Sequence, residues 1–260
     1  MITIFTVPKP YNKKINRIQD NAIKNWLNIS DEFEIITLGD KENKLKNYDF
    51  KHIDNIKKNI YGSFLINDIF YKIQKEASNN IIMYLSTDIL LMKNIIEIIK
   101  KINNIFSEYL IIGNRWNIDI NEKIDYKTDW EEHLIHILEE KGELLSFEED
   151  ETNFPYYSDL FAFPKGTYDE IKPLSIRYWW DNWIIHLALL KNIPVIDITD
   201  KTLIIHQNHE KMHKGYLCDE AIETKKMVRV EKIYPFKEEI YKNFRIISYN
   251  MPSSKEWQIL

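Results

Sequence analysis

Apolar and polar positions along the first half of the chain fall into blocks whose period switches between strand-like and helical. Ile2 to Val7 is an unbroken apolar and β-branched run stopped by Pro8, the pattern of a strand buried on both faces. Over Arg17 to Leu27 the apolar residues Ile18, Ala22, Ile23, Trp26 and Leu27 recur at helical spacing. Phe33 to Leu38 predicts a second strand, closed by the turn-forming pair Gly39-Asp40, and Leu65 to Ala77 an amphipathic helix. A third strand over Ile81 to Leu85, a helix over Asn94 to Ile105 and a fourth strand over Tyr109 to Ile112 follow. Strands separated by helices predict βαβ units, hence an α/β fold with a central, mostly parallel sheet flanked by helices. Ligands of such sheets bind beyond the carboxyl ends of the strands. Thr6-Val7-Pro8, Gly39-Asp40 and Ser86-Thr87-Asp88 are therefore expected on one rim.

The second half is less regular. Asp125 to Glu151 is highly charged and partly helical, and its run Glu148-Glu149-Asp150-Glu151 reads as a solvated loop. Leu160 to Phe163 predicts a short strand and Trp180 to Leu190 a strongly apolar helix. Val195 to Ile198 and Leu203 to Ile205 predict two more strands around the turn Thr199-Asp200-Lys201. No repeat, linker or break in composition marks a boundary, so one domain over residues 1–260 is expected. Within it, 1–120 would form a nucleotide-binding half, 121–210 an acceptor and catalytic half, and 211–260 a C-terminal extension.

Composition narrows the function classes. A net charge of −5 with interspersed Lys and Glu argues against a nucleic-acid partner, whose binders carry a clustered basic excess. The single cysteine, Cys218, allows neither an internal disulfide nor a Cys-based zinc site and fits a reducing compartment. The N-terminal run is too short for a signal peptide. The longest apolar stretch, Ile81 to Met92, is interrupted by Asp88 and falls short of the ~20 residues of a membrane span. A cytoplasmic protein, at most peripheral to a membrane, is expected.

Four segments carry candidate chemistry. In Tyr84-Leu85-Ser86-Thr87-Asp88 a carboxylate flanked by apolar residues is costly unless it is paired or binds a cation. Asp88 is read either as a ligand for Mg²⁺ or Mn²⁺ bridging two phosphates or as the N-cap of a following helix. Ile205-His206-Gln207-Asn208-His209 offers two histidines that could share a metal or ligand, with the hydrogen-bonding amide of Asn208 between them. His213 reads as peripheral. Trp179-Trp180-Asp181-Asn182-Trp183 opens the apolar helix. Asp181 there either caps the helix and serves its dipole or, desolvated by aromatic walls, acts as a general base. Arg115, just after the fourth strand, could clamp a diphosphate or form an ion pair. Walker A, GxGxxG and GxSxG patterns are all missing from the sequence, which disfavours P-loop enzymes, dinucleotide oxidoreductases and α/β-hydrolases.

Taken in order, these pieces resemble a family of bacterial and viral GT-A-type glycosyltransferases. The resemblance is carried by Thr6-Val7-Pro8-Lys9-Pro10, Ile18 to Leu27, Leu38-Gly39-Asp40, Tyr61-Gly62-Ser63, Tyr84 to Leu90 and Gly113 to Ile120. It continues through Ser158 to Gly166, Trp180-Asp181-Asn182-Trp183, Pro194 to Asp197 and Ile205 to His209. It covers most of residues 1–210 and nothing beyond.

The resemblance implies a nucleotide-diphosphate sugar as donor, a UDP-sugar being favoured, and a glycan or other glycoconjugate as acceptor. Thr6, Val7, Pro8 and Asp40 would surround the nucleoside. Ser86-Thr87-Asp88 would stand where such enzymes carry a DxD motif, with Ser86 in place of the first acid. Asp88, His206 and His209 would hold Mn²⁺ or Mg²⁺, and Arg115 would add positive charge toward the leaving diphosphate. Asp181 would be the base of a single displacement, while Asp159, Trp180, Asn182 and Asn208 would touch the sugar or acceptor. A sugar-nucleotide-forming nucleotidyltransferase and a non-catalytic nucleotide-sugar-binding protein are the competing readings.

Overall fold

The computed structural model describes residues 1–10, 12–45, 47–144, 158–209, 218–228 and 236–249. The acidic run Glu148 to Glu151 and His213 lie outside them. The chain begins with β1 (Ile2–Thr6), α1 (Lys13–Ile29), β2 (Phe33–Leu38), β3 (Lys51–Ile53), α2 (Ile66–Glu76) and β4 (Ile81–Leu85). It continues through β5 (Ile89–Leu91), α3 (Ile95–Ile105), β6 (Leu110–Ile112), β7 (Trp116–Ile118), α4 (Trp130–Lys141) and β8 (Glu143–Leu144). Next come β9 (Leu160–Pro164), α5 (Trp180–Leu190), β10 (Val195–Asp197) and β11 (Ile204–Gln207). The last described elements are α6 (Asp219–Val228), β12 (Phe236–Tyr241) and β13 (Phe244–Tyr249).

The expected α/β architecture is present. Nine strands form one sheet in the order β12-β13-β10-β6-β9-β4-β1-β2-β3. β1 lies parallel to both β2 and β4, β2 to β3, and β6 to β10. β9 runs antiparallel between β4 and β6, and β13 antiparallel to β10. Residues 236–249, for which the sequence pattern predicts no element, thus form a hairpin that extends this sheet.

The apolar runs read as strands because both faces of the sheet are covered. Successive strand residues point to opposite faces: Ile2, Ile4, Ile81, Met83 and Leu85 pack on one side with α1 and α3, and Phe5, Ile36, Ile82 and Tyr84 on the other with α2 and α5. α1 starts four residues earlier than the periodicity predicts because the Asn12 side chain accepts the Ile15 N–H at 2.9 Å, satisfying one of the donors left open at a helix start.

On the α1 side lies a four-stranded sheet, β5-β11-β7-β8. α1 holds it through buried polar side chains. Asn25 clamps the backbone of Leu91, donating to its carbonyl at 3.1 Å and accepting its N–H at 2.8 Å. The Trp26 indole donates to the Ile89 carbonyl at 2.9 Å. Gln207 donates to the Ile18 carbonyl at 3.0 Å and accepts from Asn21 at 3.0 Å. Because buried amides need partners, this network pins the registry of β5 and β11 against α1.

Helix α5 is buried on most sides and carries His186, only 4% exposed. Burial, reinforced by the charge of Lys172, pushes the His186 pKa down to about 4. Between that value and the ordinary 6.5 the unfolded chain binds a proton that the folded chain refuses, so stability falls as pH drops through the window. We expect a loss of about 1 kcal/mol per pH unit there, after allowance for solvent screening. Urea midpoints at pH 7.5 and 5.0 should show it, and His186→Leu should flatten the dependence. An unchanged slope in that variant would assign the acid sensitivity to other groups.

Candidate active site

The parallel alignment of β1, β2 and β4 brings Thr6-Val7-Pro8, Gly39-Asp40 and Ser86-Thr87-Asp88 to one edge of the sheet. Gly39 turns the chain out of β2 at φ +134°, a region that residues with a side chain rarely enter. Asp40 follows it and pairs with Lys58 at 2.8 Å. Thr6 and Thr87 are fully buried, and neither hydroxyl has a hydrogen-bond partner among the described residues.

Asp88 does not cap a helix. The chain runs straight from it into β5, and the next helix begins at Ile95 behind Asn94, so the capping alternative is overturned. β11 pairs antiparallel with β5, setting His206 opposite Ile89, and the Gln207 N–H donates to the Asp88 carbonyl at 3.0 Å. His206 therefore lies within the strand rather than after it. Its Nε2 stands 3.4 Å from Asp88 Oδ2, and His209 Nε2 stands 2.8 Å from the same oxygen. One carboxylate oxygen and two imidazole nitrogens come within 4.8 Å of one another.

Lys9, a residue the sequence reading passes over, completes this cluster. Its Nζ forms an ion pair with Asp88 Oδ2 and lies 3.1 Å from His209 Nε2 and 3.5 Å from Ser86 Oγ. Its only sequence signal is its position after the first strand, between two prolines. Asp88 is 1% exposed. Burial opposes its ionisation, but the Lys9 charge and hydrogen bonds with His206 and His209 hold its carboxyl well below the ordinary value of 3.8. Burial also lowers the His206 pKa, against the pull of Asp88 and with the help of Arg115 and Lys9. A neutral His206 keeps a ring-nitrogen lone pair for ligation.

β7 lies on the other side of β11, with Trp116 opposite Ile205, which brings Arg115 to the same edge. Arg115 forms an ion pair with Asp159, and the Asp159 carbonyl accepts the Ser86 N–H at 3.3 Å. Of the two fates open to Arg115 the ion pair is observed, and its charge still reaches both His206 and Asp181.

Asp181 stands in the first turn of α5. Desolvation raises its pKa above 3.8, outweighing hydrogen bonds from the Asn182 and Asp181 N–H groups and the Arg115 charge. Tyr84, near the end of β4, feels both Asp181 and Asp88, and its hydroxyl pKa is pushed up chiefly by burial. The residue before α5, Trp179, has φ +62°, an uncommon conformation for a bulky residue and a sign of local strain.

Trp180 corrects an expectation. It is 6% exposed, and its ring meets Tyr84 at 5.0 Å, Phe161 at 5.1 Å and Phe70 at 6.2 Å. It fills the core and offers no open face to a sugar. Asn182 is half-buried beside Asp181, and Asn208, also half-buried, is held by its N–H donating to the Ile118 carbonyl at 2.8 Å. Among the described residues no helix is long and apolar enough to cross a membrane.

No protein-family model matches the sequence, and no curated protein matches it either. Among solved structures the chain is similar to S. aureus TarS 1–349 in complex with UDP-GlcNAc, with TM-score 0.48 and 10% identity over 87% of this chain and 65% of that one. It is similar to HddC from Yersinia pseudotuberculosis complexed with GMP-PN, with TM-score 0.42 and 10% identity over 88% and 100%. The inositol-1-phosphate CTP transferase from T. maritima gives TM-score 0.42 and 12% identity over 88% and 98%. The chain spans less than two thirds of the TarS chains it matches, for example 38% of TarS 1–349 in a further structure. Likeness at this level transfers no activity, and the chemistry of the site has to be read from its own residues.

Proposed function

We propose that the chain is a glycosyltransferase that moves a sugar from a nucleotide-diphosphate sugar, a UDP-sugar by preference, to a hydroxyl of a glycan or other glycoconjugate. The observation that carries this reading is the convergence of Asp88, His206, His209 and Lys9 at the strand exits, on the same edge as a desolvated carboxylate, Asp181. A cation-binding cluster beside a basic carboxylate suits displacement of a diphosphate by a hydroxyl.

The cluster fits a divalent ion. Asp88 Oδ1 and His206 Nδ1 are buried without hydrogen-bond partners among the described residues, so the carboxylate retains unused donor capacity. One carboxylate with two imidazoles suits Mn²⁺ better than Mg²⁺, which prefers an all-oxygen shell. When bound, the ion would offset the charge that develops on the leaving diphosphate.

The remaining roles belong to side chains. Thr6, Val7, Pro8 and Asp40 hold the nucleoside at the exits of β1 and β2. Arg115, steadied by Asp159, adds positive charge on the diphosphate side, and Asn182 and Asn208 touch the sugar or acceptor. Asp181 takes the proton of the acceptor hydroxyl. That oxygen then bonds to the anomeric carbon, and the bond to the diphosphate breaks with its electron pair leaving on the diphosphate oxygen. Single displacement inverts the anomeric configuration.

A thermal-shift series on the full chain tests the reading, using nucleoside diphosphates, their sugars, and a nucleoside triphosphate with a sugar 1-phosphate, each with Mn²⁺ and with chelator. A UDP-sugar at 100 times its Kd should stabilise the fold by about 2.7 kcal/mol. A flat response to every nucleotide would sink the transferase reading. Pyrophosphate release from the triphosphate mixture would move it to nucleotidyl transfer.

A further inference from the structure

The atoms that would ligate a divalent ion already hold a cation. An ammonium has three donors and no acceptor, and Lys9 Nζ meets three partners: Asp88 Oδ2, His209 Nε2 at 3.1 Å and Ser86 Oγ at 3.5 Å. The backbone that carries it is fixed. The Lys9 N–H donates to Gln19 Oε1 at 2.8 Å, and Gln19 Nε2 donates back to the Lys9 carbonyl at 3.3 Å. Gln19 is itself buried on α1, and the flanking Pro8 and Pro10 restrict the chain further. The Lys9 side chain is only 22% exposed.

We propose that Lys9 is the resident cation of this site, and that Asp88, His206 and His209 can take a divalent ion only when the Lys9 ammonium leaves them. The inference rests on the cation-binding reading of the cluster given above. Two cations on one carboxylate oxygen repel strongly inside a protein, and His209 Nε2 cannot face both. Loading by a divalent ion therefore swings Lys9 outward along its four-carbon stem while its backbone stays clamped. The released ammonium faces the strand exits, where the diphosphate of a donor would lie. Without a divalent ion, Lys9 supplies the charge itself, so the site works as a cation exchange rather than as a vacant metal cage.

Calorimetric titration of the full chain with Mn²⁺ alone tests this. Lys9→Met should bind Mn²⁺ about tenfold more tightly than the wild type or tighter still, since it removes a like charge beside the ligands. Lys9→Arg, which keeps the charge, should bind as weakly as the wild type. Equal Mn²⁺ affinity in Lys9→Met and wild type overturns the inference. A measurement on the unmutated protein guards against a variant that does not fold: reductive methylation mapped by peptide mass, with saturating Mn²⁺ or with chelator. Mn²⁺ should speed methylation of Lys9 severalfold, and an unchanged rate also overturns the exchange. Tighter Mn²⁺ binding by Lys9→Met without any response to nucleotides would leave the exchange standing and remove the transferase. Nucleotide-sugar turnover with Mn²⁺ affinity indifferent to Lys9 would do the reverse.

Discussion

Asp181→Asn is expected to lower turnover by roughly 10²–10⁴-fold, the usual contribution of a positioned general base, while leaving nucleotide-sugar binding nearly unchanged. The substitution keeps the size of the side chain and one acceptor oxygen, and removes its negative charge and its ability to take a proton. The pKa of Asp181 is raised chiefly by desolvation, which fixes two further signs. Activity needs the ionised form, so the acid limb of the kcat/KM profile should lie above the ordinary carboxylate value of 3.8. A raised carboxylate pKa also means that its contribution to stability is present below the unfolded value and lost as pH rises through the folded one. At neutral pH the ionised Asp181 is therefore a burden on the fold, and Asp181→Asn should raise the melting temperature. A variant that is more stable, binds donor and does not turn over separates chemistry from folding. Wild-type turnover in this variant would remove Asp181 from the role of base.

Trp26→Ala should cost about 3–5 kcal/mol of stability, as deletion of a buried aromatic side chain generally does. Trp26 is fully buried, and its indole N–H holds the Ile89 carbonyl one residue beyond Asp88. The loss is a large share of the roughly 5–15 kcal/mol that keeps a domain folded. Trp26→Phe keeps much of the packing but strands that buried carbonyl, for about 1–3 kcal/mol. Urea unfolding followed by circular dichroism measures both. A cost below about 1 kcal/mol for Trp26→Ala would mean that α1 does not anchor the small sheet. Because β5 begins right after Asp88 and pairs with the strand bearing His206, the two variants should also weaken Mn²⁺ binding in the same order.

The parallel part of the large sheet around β1, β2 and β4 is legible for a physical reason, whereas β3 and the β12–β13 hairpin carry no such pattern. β1, β2 and β4 are covered on both faces, so they appear as continuous apolar runs; α2 shows its buried stripe at helical spacing, and α5, buried on most sides, shows as a strongly apolar segment. α1 was underestimated at its start because Asn12 caps it without being apolar. The small sheet was hidden. β5 and β7 are three residues each, and β11 reaches both across more than eighty residues of chain, so no local period marks them. That pairing is what joins His206 to Asp88. Residue type alone names Asp88, His206 and His209 separately, the resemblance groups them as one site, and the β5–β11 register is what brings them together. Lys9 has no chemical signal in the sequence beyond its place after the first strand, and only the parallel exits of β1 and β4 bring it to Asp88. Trp180 was misjudged because an aromatic residue beside a carboxylate suggests a stacking platform, whereas the rings of Tyr84 and Phe161 claim it for the core.

The reversed strand at the centre of the large sheet has a consequence for how the chain must be made. β9 separates β4 from β6, and Ala162 pairs with Met83 on one side and Ile111 on the other. Until Leu160–Pro164 arrives, both neighbours present open hydrogen-bonding edges in an apolar setting, the kind of template that recruits stray strands. Synthesis proceeds at about 5–20 residues per second, so the stretch from Ile112 to Pro164 takes roughly 3–10 s. Closing the gap then depends on contacts far apart in sequence, which form slowly. The interval in which the nascent chain is most prone to aggregate is set by the delivery of one five-residue strand.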